Sequence, residues 1–83
     1  MLSIRYTEDA LKDMRGIGHV AAGRVKDKIL AYAANPPAYA NQVKKLRGQE
    51  ALRLRVGEYR VLFTEDGVVL SVLHIGHRRE IYR

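Results

Sequence analysis

Apolar and polar residues alternate through Leu2-Ser3-Ile4-Arg5-Tyr6, a period of two that predicts a short strand with Leu2, Ile4 and Tyr6 on one face. Thr7 follows with Glu8 and Asp9 behind it, the signature of a helix N-terminus, and Leu11 and Met14 form a brief apolar stripe that Gly16 and Gly18 interrupt. From about Val20, Ala21, Val25, Ile29 and Tyr32 recur at helical spacing until Asn35-Pro36-Pro37 forbids continuation. Residues 38–50 have no clear period and carry Lys44, Lys45, Arg47 and Gly48, so they are expected to form a long basic connection.

The period then returns to two. Leu52-Arg53-Leu54-Arg55-Val56 sets three aliphatic side chains on one face and two arginines on the other. Gly57-Glu58 suits a two-residue hairpin turn of the Gly-X kind, which brings back Tyr59-Arg60-Val61-Leu62-Phe63-Thr64 and adds Arg60 to the face of Arg53 and Arg55. A second turn at Glu65-Asp66-Gly67 leads into Val68 to Ile75, a nearly continuous apolar run expected of a central strand covered on both faces. The order β-α-α-β-β-β predicts an α+β fold in which two N-terminal helices pack on one face of an antiparallel sheet, as a single domain over residues 1–83.

With 83 residues there is room for one core. The 15 Lys and Arg against 9 Asp and Glu leave a charge of +6, a field that draws in polyanions or an acidic protein partner. The absence of cysteine excludes disulfides and thiolate metal sites. Neither a membrane-length apolar run nor the h-region of a signal peptide is found, so a cytoplasmic setting without membrane contact is expected.

The informative constellation is the cationic sheet face together with the polar, basic tail from Gly76 to Arg83. Core formation does not explain why Arg53, Arg55 and Arg60 share a side; the plainer reading is solvated charge. The same half of the chain holds His77, Arg78, Arg79 and Tyr82, the titratable, cationic and aromatic groups that RNA chemistry and base stacking require.

Lys45-Leu46-Arg47-Gly48, the strand Leu52 to Val56, Gly57-Glu58-Tyr59-Arg60-Val61-Leu62-Phe63 and His74-Ile75-Gly76-His77-Arg78-Arg79-Glu80-Ile81-Tyr82 resemble the RelE and ParE superfamily of toxin-antitoxin toxins. The resemblance implies a RelE-like, microbial RNase fold and metal-independent, ribosome-dependent cleavage of messenger RNA in the decoding site. It also implies neutralisation by a cognate antitoxin, RelB-like or other, with the free toxin a monomer and the neutralised one a hetero-oligomer. Within the superfamily the tail is similar to that of the RNase branch, with Arg78 and Tyr82 at the positions of its arginine and tyrosine and Arg60 at that of its strand arginine. The other branch, ParE-like inhibitors of DNA gyrase, is the alternative.

Cleavage by the RNA's own 2′-hydroxyl needs a base, cations to hold the charge on phosphorus, and an acid for the leaving oxygen. Arginine suits the second task, because its planar fork binds phosphate but holds its proton too tightly to act as base. Arg53 and Arg55 stand where RelE itself has lysines, so they are expected, with Arg60 and Arg78, to clamp phosphate. His77 and Tyr82 are expected to share proton transfer and positioning. Lys44, Lys45, Arg47 and Arg79 are candidates for contacts to RNA phosphates or to the ribosome. His74 is expected to be structural with its ring nitrogens satisfied, His19 and Glu50 to lie at the surface, and Tyr59 to join the core. Three histidines without carboxylates at helical spacing give no metal site, and no cofactor is expected.

Overall fold

The computed structural model describes residues 1–46, 48, 50–77 and 79. Thr7 ends the first strand, β1 (Ser3–Tyr6), and starts the first helix, α1 (Glu8–Ile17). Its extended backbone (φ −70°, ψ 165°) lets Oγ1 accept from the Ala10 amide at 3.0 Å, satisfying one of the amides left without a partner at a helix start. Gly18, at φ 91°, breaks the chain between α1 and α2 (His19–Ala34) in a region that side chains with a Cβ rarely enter. Asn35 and the two prolines end α2 as expected.

Residues 38–50 depart from the expected connection. A 3-10 segment runs from Pro36 to Gln42, and Val43–Lys45 forms an edge strand, β2. Prolines are tolerated in the first turn of a helix, where no N–H is needed. A strand of three residues is too short to reveal a period. Strands β3 (Leu52–Val56), β4 (Tyr59–Glu65) and β5 (Val69–His77) follow. Gly57 opens the β3–β4 turn at φ 58°, and Asp66 closes the next turn by accepting from the Val68 and Val69 amides at 2.9 and 2.8 Å.

The sheet order is β1-β5-β4-β3-β2. Adjacent pairs from β5 to β2 are antiparallel, but β1 lies parallel to β5, so the expected antiparallel sheet is mixed at one edge. Periodicity shows that a strand exists and says nothing of its partner. Beyond Tyr6 the edge of β5 passes to α1. The Thr7 amide and Oγ1 donate to the carbonyls of Val72 and Leu73 at 3.0 and 2.8 Å, and the Ile75 amide donates to Asp13 Oδ2 at 3.0 Å. A helix thus satisfies backbone groups that an open edge would leave to solvent.

The register of β4 against β5 shifts between Leu62 and Phe63: Phe63 opposes Val72 while Leu62 opposes His74, leaving Leu73 as the extra residue of a bulge. The bulge changes the phase of the side chains. Leu70 and Val72 precede it in the core and Ile75 follows in the core, whereas His74 is exposed. The apolar run of β5 therefore does not mark a strand covered on both faces, as its composition suggests; it is a strand whose inward phase moves by one residue. Phe63, Ile29, Leu54, Leu70, Val25, Val61 and Val72 fill the core between the helices and this inner face. Tyr32 closes one end, edge-on to Phe63 at 5.2 Å, its hydroxyl donating to Glu65 Oε1 at 2.8 Å.

Candidate nucleic-acid interface

The outer face of β2, β3 and β4 is where cations collect. Strand pairing sets Arg55 opposite Arg60 and Lys44 opposite Arg53, and because side chains alternate, all four project from the face opposite the core. They line one polar recess of about 340 Å³, to which the end of the 3-10 segment contributes Asn41 and Gln42. Arg55 is exposed; Arg53 and Arg60 are half-buried, and Arg60 Nη1 donates to the Tyr59 carbonyl at 3.3 Å. Like charges directly opposite on neighbouring strands repel, at roughly 0.2–1 kcal/mol. Such a group is suited to an anion, and guanidinium forks bind phosphate through paired, charge-assisted hydrogen bonds.

Lys45 stands one position out of phase with Lys44, and both are exposed. His77 does not join the arginines. It pairs with Tyr59, in phase with Val56 and Val61 on the inner face, while its neighbour Gly76 opposes Arg60. The ring lies edge-on to Tyr59 at 5.9 Å, Nε2 is 3.9 Å from Glu58 Oε2, and Nδ1 accepts from the Arg79 amide at 3.2 Å. The side chain of His77 thus takes the face opposite Arg53, Arg55 and Arg60, and the cause is the bulge at Leu73, without which it would fall on the arginine face. Arg47, Arg78 and Tyr82 lie outside the described residues.

His74 is exposed, with Nδ1 3.3 Å from Asp13 Oδ2 and Nε2 3.9 Å from Asp9 Oδ2, the second beyond hydrogen-bond reach. The two acids, four apart on α1 and so on one helix face, were not recognised from the sequence, although that spacing was visible. Tyr59 packs against the core, and His19 and Glu50 are exposed. Asn41 and Gln42 were also missed, and they sit in the stretch that shows no period. A second groove, of about 540 Å³ and mainly apolar, lies on the helix side between Ile17, Val20, Val56 and Tyr59. Among the described residues no group of His, Asp or Glu could hold a metal ion, and no helix is long and apolar enough to cross a membrane.

A family model described as the ParE toxin of the type II toxin-antitoxin system parDE matches residues 4–82. The mRNA interferase toxin RelE of Escherichia coli is 27% identical over 81 residues, covering 93% of this chain and 85% of that protein. Among solved structures, the toxin of the intact E. coli RelBE toxin-antitoxin complex superposes with a TM-score of 0.72 at 28% identity, over 93% of this chain and 96% of that one. The archaeal RelE-RelB complex of Pyrococcus horikoshii gives 0.76 at 19% identity, over 95% and 97%, a likeness of fold. With its α+β architecture matching theirs and its family model spanning nearly the whole length, the chain belongs to the ParE toxin family of type II toxin-antitoxin systems, as a RelE-type member.

Proposed function

We propose that this protein is an endoribonuclease toxin that cuts messenger RNA in the ribosomal A site and is held inactive by a cognate antitoxin. The observation that carries the reading is the recess formed by Lys44, Arg53, Arg55 and Arg60, four cations on one sheet face where nothing in the core requires them. Two relatives support it: E. coli RelE is named an mRNA interferase, and RelE toxins have been solved in complex with RelB antitoxins.

In the proposed reaction the 2′-oxygen bonds to the adjacent phosphorus as the bond to the 5′-oxygen breaks. The 2′-hydroxyl proton leaves to a base, and the departing 5′-oxygen takes one from an acid. The products are a 2′,3′-cyclic phosphate and a 5′-hydroxyl. Arg53, Arg55 and Arg60 hold the phosphate and the charge that builds on it, a stabilisation strongest where water is excluded. Arg78 adds to that clamp and Tyr82 stacks on or orients the nucleotide, roles the resemblance to the RNase branch suggests. Tyr82 is also the proposed proton-transfer group. Lys45, Arg47 and Arg79 add charge toward ribosomal RNA.

Primer extension on a defined messenger RNA in programmed ribosomes tests this, comparing wild type with Arg78→Ala and Tyr82→Phe. The expected result is a ribosome-dependent cut within the A-site codon, strongly weakened in both variants. The second reading, gyrase inhibition, is favoured by the parDE description of the matched family. Intact RNA together with accumulating DNA breaks in a gyrase assay establishes that reading instead.

A further inference from the structure

The recess that holds the arginines has two lining side chains of a different kind. Lys44, Arg53, Arg55 and Arg60 can only donate hydrogen bonds, whereas the amides of Asn41 and Gln42 both donate and accept. A phosphate offers acceptors alone and is served by the cations. A nucleobase edge offers donors and acceptors together, the pattern a carboxamide matches with two hydrogen bonds.

We propose that Asn41 and Gln42 read the base of the nucleotide whose phosphate the arginines hold, an inference that rests on the recess being the RNA site. At about 340 Å³ the recess is at the lower end of the roughly 300–1,000 Å³ typical of small-ligand sites, room for one nucleotide.

The two amides are also held in place, as discrimination requires. On one side Lys28 Nζ sits 4.9 Å from the centre of the Tyr39 ring, tying the 3-10 segment to α2. On the other, the Val43 amide donates to the Ala40 carbonyl, and Val43 pairs with Leu54 of β3. Asn41 and Gln42 span the few residues between these anchors, so their backbone is fixed relative to Arg53 and Arg55 while Asn41 is exposed and Gln42 half-buried. Arginine can also read guanine, but here the guanidinium groups are engaged with phosphate, and base choice falls to the uncharged pair.

The test measures binding without cleavage. Short fluorescent 2′-deoxy oligonucleotides, unable to supply the attacking hydroxyl, are given a uniform uracil background varied one base at a time, and their affinities are read by anisotropy at fixed salt. Wild type is expected to prefer one base over the others by about five- to tenfold, the low end of what a paired amide contact provides. The Asn41→Ala/Gln42→Ala variant is expected to flatten that preference while keeping most of the affinity, and Arg55→Ala to lower affinity for every base alike with the preference intact. A wild type without preference, a preference that survives in the double variant, or a uniform loss of affinity in it would overturn the proposal. Base-selective binding by a wild type that leaves RNA uncut in ribosomes sinks the ribonuclease reading and leaves this one standing.

Discussion

Arg55 lies directly opposite Arg60 across the β3–β4 pair, two guanidinium groups on neighbouring strands that face the same way. Sheet formation gains nothing from this pairing, since opposed like charges cost stability where opposite charges or β-branched side chains would add it. The relationship fits a site whose occupant is an anion.

Arg55→Thr is therefore expected to move stability and binding in opposite directions. Relief of repulsion raises the unfolding free energy by roughly 0.2–1 kcal/mol, visible as a rise of a few degrees in Tm. The same change weakens RNA binding and lowers the slope of log affinity against log salt by about 0.7, the loss of one phosphate contact on a single strand. Thermal melts and salt titrations check both; a variant that binds RNA with an unchanged salt slope would show that Arg55 touches no phosphate.

His77→Gln is expected to keep most cleavage activity, because His77 packs on Tyr59 on the face away from the arginines. Loss of a general acid or base costs about 10²–10⁴-fold. Single-turnover cleavage in programmed ribosomes distinguishes the two, and a fall of that size would return His77 to proton transfer.

Alkaline stability should be governed in part by Tyr32. Burial, followed by its hydrogen bond to Glu65 and that carboxylate's charge, pushes the phenol above its ordinary value near 10. The folded state thus holds a proton that the unfolded state has lost. The stabilisation is complete below pH 10 and falls away above it, at up to about 1.4 kcal/mol per pH unit. Tyr32→Phe is expected to cost about 1 kcal/mol at neutral pH through the lost hydrogen bond and to make the alkaline decline shallower. Urea denaturation at pH 7 and between pH 9 and 11 measures both effects.

Asp13→Ala removes the acceptor of the Ile75 amide and the nearest partner of His74. The amide is partly buried, so a loss of about 1–3 kcal/mol is expected. Hydrogen exchange should show faster opening at Ile75 and little change at the β3–β4 pair. Equal protection in both proteins would mean that the edge of β5 does not depend on α1.

Much of the architecture is legible in the sequence. The period-two stretch of β3 and β4, the turn at Gly57-Glu58, the Thr7 cap and the proline stop after α2 are local features, each set by residues within a few positions, and each appears as expected. The shared face of Arg53, Arg55 and Arg60 follows from them, because a two-residue turn leaves one register for the hairpin. Hidden from the sequence were the parallel pairing of β1 with β5, the short strand β2, and the entry of Asn41 and Gln42 into the cationic recess. All of these depend on contacts between segments far apart in the chain. The bulge at Leu73 had the largest consequence for function. A single extra residue reverses the face of everything after it, and whether it occurs is decided by how β5 packs against β4 and α1, which no local pattern in an apolar run encodes. The sequence by itself determined that a cationic face would exist and placed His77 just past the last strand; tertiary packing alone extended that strand to His77 and turned its side chain to the other face.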